Sequence, residues 1–444
     1  PSVEPDRTMN DVNVGIVGMG TVGGSAIRIL DENAADLERK LGFKLHLRAA
    51  ASLEVENREE VDAPTGKRLL TRDWREAVEH PEVDIVIEVV GGTTVAYEVQ
   101  AMALGLGRPV VSANKELLGK RGAELARLAH DNNTSLHLEA SAGGAIPVLN
   151  ALREGIAADR IEAVYGIFNG TCNFILTEIE ESGAAFEDIL AEAQRLGYAE
   201  VNPEADVEGY DARSKLSIVA NLCFGARVAT ESIFCQGITR ITPTDFAYAH
   251  RLGYTIRLVA AGARNGDTLS LYVRPVLVPQ TAMLAKVLGS YNAVWVKGKY
   301  GEDTLYYGRG AGTPTGVAII SDVMSAARDL RQGGSLRAPA FGYWSPEEIT
   351  AVGIEASETP YFMRFLVKDE VGIIARLATI IAEEKINIDA VFEEPNQDPN
   401  NLAFIISVKP TTETSVSAAL ARMEKLSFLR EPPLILPMED TLAG

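Results

Sequence analysis

Cysteine is scarce. The 444 residues contain three (Cys172, Cys223, Cys235) and no CxxC pair, which excludes a disulfide scaffold. The five histidines are scattered without HxH or HExxH spacing, which argues against a zinc site. Long apolar runs are missing too, and nothing approaches the roughly 18 residues of a membrane span. The opening PSVEPDRTMN is polar, lacks the apolar stretch of a signal peptide and is expected to be a loose tail. Together these features point to a reducing cytoplasm. Positive charge is in deficit: 42 Lys and Arg stand against 61 Asp and Glu, a net charge of −19. That excludes nucleic acid and anionic membranes as main partners, though not an anionic ligand in a local pocket. What remains is an ordinary 46% of hydrophobic residues, enough for two or three domains with real cores.

The first 150 residues read as an α/β unit. VNVGIV (12–17) is a short apolar strand, followed by Gly18-x-Gly20-x-x-Gly23 and a helix with Val22, Ala26, Ile29 and Leu30 on one face. Strand, glycine turn and helix in that order are the context of a dinucleotide fingerprint. The first glycine allows the turn, the second admits the pyrophosphate, and the third lets helix pack on strand. The helix start, with Thr21 and Val22, offers N–H groups to phosphate. A second strand (43–53) ends at Ala51-Ser52-Leu53-Glu54, with Arg58 beyond. A carboxylate at that tip would favour NAD and an arginine NADP; neither pattern is clean, and Glu54 and Arg58 read more simply as surface charge. VDIVIEVVGG (83–92) is a doubly buried strand ending in Gly91-Gly92. RPVVSANKELL (108–118) is another, ending at Ser112-Ala113-Asn114-Lys115. SLHLEASAGGAIPVL (135–149) gives a further strand, a Gly-rich bend and a helix start at Pro147. Ligands of open α/β sheets bind beyond the carboxyl ends of the strands, which makes Lys115 a candidate site residue.

After residue 150 the pattern changes to a strand with a polar turn at Asn169-Gly170-Thr171, then an amphipathic helix (185–199) stopped by Gly197. Next comes AEVNPEADVEGYDARSK (199–215), which packs five acidic residues into seventeen positions before a lysine. Asp211 and Lys215 are i and i+4 on the helix that follows, so they share a face. A surface ion pair would explain them at about 0.3 to 0.5 kcal/mol. Alternatively, Glu200, Asp206, Glu208 and Asp211 bind an ammonium group while the lysine moves a proton at an alcohol or aldehyde oxygen. Ala338-Pro339-Ala340, VRPVLVP and the run from Asn292 to Gly316 look like strands of a mixed sheet with hairpin turns. Gly308, Gly310 and Gly312 then lead the chain into the helix VAIISDVMSAARDL and back to the cofactor cleft.

The stretch Ala193-x-x-x-Gly197-Tyr198-Ala199-x-x-Asn202-Pro203-x-x-Asp206-Val207-x-Gly209-x-Asp211-x-x-x-Lys215 resembles the homoserine dehydrogenase signature at every fixed position. The N-terminal glycine motif, Ala113-Asn114-Lys115, Glu139-Ala-Ser-Ala-Gly-Gly and Gly310-Ala-Gly312 add to it. The resemblance covers about residues 10 to 350. It implies reversible, NAD(P)-dependent interconversion of L-homoserine and L-aspartate 4-semialdehyde in threonine, methionine and isoleucine biosynthesis. It implies Lys215 as acid/base, with Lys115 assisting or sharing that role at the junction with the nicotinamide. Glu200, Asp206 and Asp211, with Lys215, would hold the substrate. Gly18, Gly20, Thr21, Val22, Gly23, Gly91, Ala113, Lys115 and Gly310 would line the cofactor. Glu139 with Ala142, Gly144 and Ile146 matches the family's monovalent cation site, a sodium ion that shapes the loop without taking part in catalysis. Two departures stand out: Ala51-Ser52 replaces a frequent Arg-Asp pair, and TPTG after Gly312 is one residue short. No aspartate kinase segment is seen, so the resemblance is to a monofunctional enzyme.

Residues 361–439 parse as strand, helix (Val371 to Glu384), strand, loop (PNQDPNN), strand, helix, strand. This βαββαβ order, with KDEVGIIARLATIIAEEKINI, resembles an ACT domain of ferredoxin-like fold. Such domains pair and often bind amino acids at the pair's interface, near the first strand–helix turn, which maps to Asp369 and Gly372, with Asn387 and Ile388. The resemblance implies feedback control, with threonine as the expected effector; a purely dimerising role is the alternative. The expected architecture is therefore an N-terminal Rossmann-type NAD(P)-binding domain (1–150, completed by about 308–345), an α+β mixed-sheet substrate and dimerisation domain (151–307) and an ACT regulatory domain (358–444), in a homodimer or homotetramer. A non-catalytic NAD(P)-binding amino-acid sensor is a competing reading, but it would not require Lys115, Lys215, Glu200 and Asp211 together. A dehydrogenase of another amino-acid-like substrate is a third.

Overall fold

A computed structural model describes residues 11–333, 339–343, 349–354, 358–393 and 398–443. The chain divides into two compact units. One comprises residues 1–164, 214–230 and 296–349, and the other residues 165–213, 231–295 and 350–444.

The first unit is built on strands β1 (Val12–Val17), β2 (Leu45–Ala51), β3 (Glu59–Ala63), β4 (Gly66–Thr71), β5 (Ile85–Glu88), β6 (Val110–Ser112) and β7 (Leu136–His137), in the order β3-β4-β2-β1-β5-β6-β7. The pairs β1–β2, β1–β5, β2–β4, β5–β6 and β6–β7 are parallel; only β3–β4 is antiparallel. Parallel strands covered on both faces must be apolar throughout, and β5, Ile-Val-Ile-Glu, is buried along its whole length. Its run ends at Glu88, four residues earlier than the sequence pattern suggests. The last helix of the unit, Thr315–Arg331, joins the same core. Its Ile319, Ile320, Val323, Ala326 and Ala327 pack with Ile16, Ala26 and Leu30. Helix Thr315–Arg331 thus adds to the sheet's covering layer. The Ala338-Pro339-Ala340 strand is not borne out where it can be judged: Pro339 is irregular and Ala340 lies in a turn, while Ala338 is outside the described residues. A proline has no N–H for a ladder.

A second sheet contains β8 (Ile161–Ile167), β9 (Phe234–Cys235), β10 (Tyr254–Asn265), β11 (Thr268–Pro279), β12 (Tyr291–Gly298), β13 (Glu302–Arg309) and β14 (Thr350–Val352), ordered β13-β12-β8-β10-β11-β14, with β9 beside β11. The hairpin β10–β11 runs in register from Tyr254↔Pro279 to Asn265↔Thr268. A third, antiparallel sheet lies within the second unit: β15 (Glu358–Val367), β16 (Ile388–Glu393), β17 (Leu402–Thr412) and β18 (Leu434–Pro437), in the order β16-β17-β15-β18. Helices Ile373–Glu383 and Glu413–Met423 cover it through Leu377, Ile381, Val416 and Met423. This is the sheet order of a βαββαβ unit. Of the expected loop PNQDPNN, Pro395, Asn396 and Gln397 lie outside the described residues.

Candidate active site

In the first unit, β1 runs through Gly18 into helix Thr21–Glu32. Gly18 has φ +105°, and a Cβ there would overlap the Val89 carbonyl; one at Gly23 would overlap the Gly18 carbonyl. Gly20 is different, because a Cβ there would meet nothing within 4 Å. The motif therefore divides its labour: Gly18 and Gly23 are required by the fold, whereas Gly20 leaves open space above bare backbone. Gly20 is also the N-cap; the helix start has no side-chain cap and no acidic residue in its first turn. Its free N–H groups and positive dipole end face that space, with Thr21 and Val22 in the first turn. Gly91 and Gly92, just past β5, both have positive φ and are equally open. An uncapped helix start beside bare glycine backbone fits a pyrophosphate, so the residues present fit a dinucleotide cofactor.

The segment Gly308–Gly316 returns to this region. Ser25 donates its hydroxyl to the Thr313 carbonyl at 2.9 Å. Gly310 is buried, and a Cβ at Gly144 would overlap its carbonyl carbon. Gly144 belongs to the loop that follows Glu139. That side chain is buried, and its two oxygens accept the N–H groups of Leu149 (3.0 Å) and Asn150 (2.5 Å). The main chain of Glu139 donates to Asp322, also buried, at 2.9 Å. Burial first, and then the neighbouring Asp322, pushes the Glu139 carboxyl up to about 7; burial pushes Asp322 up to about 6. Two buried carboxyls held above their ordinary range are a natural place for a cation. Carboxylate with main-chain carbonyls of Ala142, Gly144 and Ile146 is a hard-oxygen donor set. Among the described residues no group of three or more His, Cys, Asp or Glu could hold a metal ion.

The two lysines belong to the same unit. Lys115 is exposed at the start of helix Lys115–Asp131, and Lys215, 8% exposed, is buried in helix Tyr210–Phe224. The two helices cross at Gly119. A Cβ there would meet Thr230 Oγ1 at 2.9 Å, Ser217 Oγ at 3.1 Å and the Ser214 carbonyl at 3.4 Å. Glycine lets the backbones close up, one turn from Lys115 on one helix and beside Lys215 on the other. The structure thus brings together the two helices that carry these lysines, a hundred positions apart in sequence.

The acidic stretch belongs to the second unit up to Arg213, and there the turn Asn169-Gly170-Thr171-Cys172 organises it. Asn169, buried at the head of helix Gly170–Ser182, caps that helix by accepting the Cys172 N–H at 2.8 Å. Its amide then donates to Asp206 at 2.6 Å and to Asp211 at 2.9 Å. Thr171 holds the Tyr198 carbonyl at 2.7 Å, and the Cys172 thiol holds the Asp206 carbonyl at 3.0 Å. One helix start fastens the acidic loop at both ends and aims two carboxylates with one amide. Glu200 stays exposed at the loop's tip. The sequence reading identified the carboxylates but missed Asn169. Its position just before a helix, a preferred place for an N-cap, was the available signal.

The four presumed effector residues are not drawn together within one chain. Asp369 and Gly372 follow the end of β15, whose Val367 pairs with Leu402; Asn387 and Ile388 open β16, where Ile388 pairs with Val408. Six residues of β17 separate those two registers, roughly 20 Å.

Comparison with known proteins agrees with this geometry. Family models described as "Homoserine dehydrogenase, NAD binding domain", "Homoserine dehydrogenase" and "ACT domain" match residues 18–139, 147–324 and 361–428. A homoserine dehydrogenase of Neisseria gonorrhoeae is 37% identical over 436 residues, spanning 97% of this chain and 99% of the relative. That of Corynebacterium glutamicum is 37% identical over 449 residues, spanning 100% and 98%. The crystal structure of a homoserine dehydrogenase from Thiobacillus denitrificans superposes with a TM-score of 0.89 at 37% identity, covering 98% of this chain and 99% of that one.

Proposed function

The chain belongs to the homoserine dehydrogenase family, an NAD(P)-dependent oxidoreductase with a C-terminal ACT domain, and from that premise we propose how its residues divide the reaction. The observation that carries the proposal is the Asn169-held pair Asp206 and Asp211, with Lys215 one turn after Asp211 on the same helix. Asp206, Asp211 and Glu200 hold the substrate's ammonium group. Lys215 Nζ takes the proton from the homoserine hydroxyl, or returns it to the aldehyde oxygen in reverse. Lys115, across the helix crossing at Gly119, orients the same oxygen and shares the proton. The nicotinamide supplies or accepts the hydride when bound. Gly18, Gly20, Thr21, Val22 and Gly23 seat its pyrophosphate, while Gly91, Ala113 and Gly310 border the rest.

At the tip of β2, Ser52 binds the Thr71 carbonyl through its N–H (3.0 Å) and the Glu54 N–H through its hydroxyl (3.2 Å). A hydroxyl there neither demands a free ribose 2′-hydroxyl nor repels a 2′-phosphate, so both NAD and NADP serve. Arg58 is already engaged with Glu76 at 2.9 Å. Glu139 with the main chain of Ala142, Gly144 and Ile146 would hold a sodium ion and so steady that loop. Sodium should then raise the melting temperature over choline at equal ionic strength.

The enzyme serves threonine, methionine and isoleucine synthesis in the cytoplasm as a homodimer or homotetramer. The ACT module binds threonine. Because Asp369 and Gly372 lie far from Asn387 and Ile388 in one chain, a site using all four needs a second chain. The deciding experiment is oxidation of NADH and NADPH with L-aspartate 4-semialdehyde, with and without L-threonine. Turnover that falls with threonine is expected. Turnover without inhibition would leave the ACT module a dimerising role, and no turnover despite cofactor binding would overturn the assignment of the residues.

A further inference from the structure

Glu88 is the most conspicuous charged residue in the first unit that the reaction, as described, leaves without a role. It ends β5 fully buried, in register with Val17 of β1 and Ser112 of β6. A leucine would suit such a place better, because a carboxyl inside a sheet is costly unless hydrogen bonds replace water. Those bonds are present. One oxygen accepts the Val90 N–H at 2.8 Å, and the other accepts the Gln100 amide at 2.6 Å and the Ser112 hydroxyl at 2.9 Å. Ser112 in turn accepts the N–H of Asn114 at 3.1 Å and the Gln100 amide at 3.0 Å. Asn114 donates its amide to the Gly92 carbonyl at 2.8 Å and caps the Lys115 helix by accepting the Leu117 N–H at 3.0 Å.

These bonds close a ring. From Glu88, one arm runs through Val90 to Gly91-Gly92. The other runs through Ser112 to Asn114, and Asn114 joins the two at Gly92. The ring fastens the open glycine turn beyond β5 to the turn that delivers Lys115. Neither turn could shift without breaking one of these bonds, and a polar network around a buried carboxyl that is left half satisfied is worse than none.

We propose that Glu88 is a positioning residue for the reaction, holding the Gly91-Gly92 turn and the Lys115 turn in one fixed relation through Val90, Ser112 and Asn114. This rests on the assignment of Gly91 and Lys115 to the cofactor and reacting oxygen. Glu88 itself touches neither. Its effect is geometric: a displacement of about 1 Å at a reacting group costs roughly a hundredfold in rate.

The test compares Glu88→Gln, Ser112→Ala and Lys115→Met in the full chain, with aspartate 4-semialdehyde and NADPH, and melting temperatures beside the kinetics. Glutamine at 88 keeps one acceptor oxygen of the two, so its amide N–H opposes either the Val90 N–H or the donors of Gln100 and Ser112, and the ring opens on that side. The expected result is a kcat about tenfold to a hundredfold lower. Ser112→Ala cuts only the arm to Asn114 and Lys115. Its kcat should fall while the KM for NADPH stays near wild type, because the Val90 bond remains. A purely structural role would lower the melting temperature without that split between kcat and KM, and would overturn the proposal. So would a folded Glu88→Gln enzyme with wild-type constants while Lys115→Met is inactive. Undiminished turnover in Lys115→Met would overturn the assignment of Lys115, and the positioning role with it. Should Glu88→Gln fail to fold, Ser112→Ala decides: unchanged kcat overturns the proposal.

Discussion

Lys215 and Asn169 show what single residues do here. A lysine that is 8% exposed gives up most of its hydration, which polar partners must replace. Replacing it by alanine should lower kcat by about a hundredfold to ten-thousandfold, the span of general acid–base catalysis, while NADPH binding measured by fluorescence titration stays intact. Retained turnover would rule Lys215 out as the proton carrier. Asn169 acts on the carboxylates proposed to hold the substrate. Its one amide bonds both Asp206 and Asp211, so Asn169→Ala frees two carboxylates that repel each other. Hydrogen bonds to charged groups are worth about 1.5 to 3 kcal/mol, so the KM for homoserine should rise by about tenfold or more with little change in the KM for cofactor. An unchanged homoserine KM would reduce Asn169 to a helix cap.

At the scale of elements, the glycine turn and the first helix behave as a unit with separable parts. Gly23→Ala forces a methyl into the Gly18 carbonyl and should destabilise the fold by several degrees in melting temperature. Gly20→Ala meets nothing, so the protein should melt normally yet bind NADPH and NADH more weakly. Equal effects of the two variants on stability would contradict this division. Helix Gly170–Ser182 makes a second case. Its Glu180 bonds the buried Arg257 of β10 at 2.7 Å, Thr255 at 2.6 Å and His250 at 2.7 Å. Burial alone would raise the Glu180 carboxyl, but the Arg257 charge and these hydrogen bonds outweigh it and hold it below its ordinary value. An acid with a depressed folded-state pKa stabilises the fold above its unfolded value of 4.5 and loses that contribution as pH falls through the folded value. Glu180→Gln should therefore be clearly less stable than wild type at pH 7, and the gap should close as acid denaturation is followed below pH 4.5. A gap that does not depend on pH would mean the pair contributes through packing alone.

At the scale of the molecule, the C-terminal sheet and its helix Glu413–Met423 are joined to β11 and to helix Pro243–Arg251 inside the second unit by buried charges. Arg274 of β11 reaches Glu413 at 2.8 Å, and Tyr361 of β15 donates to the same carboxylate at 2.8 Å. Arg364 of β15 lies 3.2 Å from the buried Asp245, whose carboxyl is raised by burial despite the arginine beside it. Removing one partner of a buried pair typically costs about 3 to 5 kcal/mol, because the other charge is left uncompensated. Glu413→Gln should lower stability on that scale, and hydrogen exchange should quicken in β11 as well as in β15. Exchange confined to β15–β18 would show the C-terminal sheet to be only loosely attached.

Much of this was legible from the chain alone. Local periodicity and turn residues carried the strand–glycine–helix start, the βαββαβ tail and the helix bearing Asp211 and Lys215, because those features depend on neighbours within a few positions. The acidic loop was recognisable as residue types at fixed spacing. Sequence could not show that Asn169 aims two carboxylates 37 and 42 positions away, that Gly119 brings the Lys115 and Lys215 helices together, or that Glu88 ties two turns into a ring. Nor could it show that Asp369 and Asn387 lie at opposite ends of one sheet. The sequence by itself determined which elements form and which chemical groups the site can use, since both follow from local backbone preference and side-chain identity. Only the tertiary structure decided which of those groups meet. Hydrogen bonds between residues far apart in the chain exist only once packing has closed the distance and excluded the water that would otherwise compete for them.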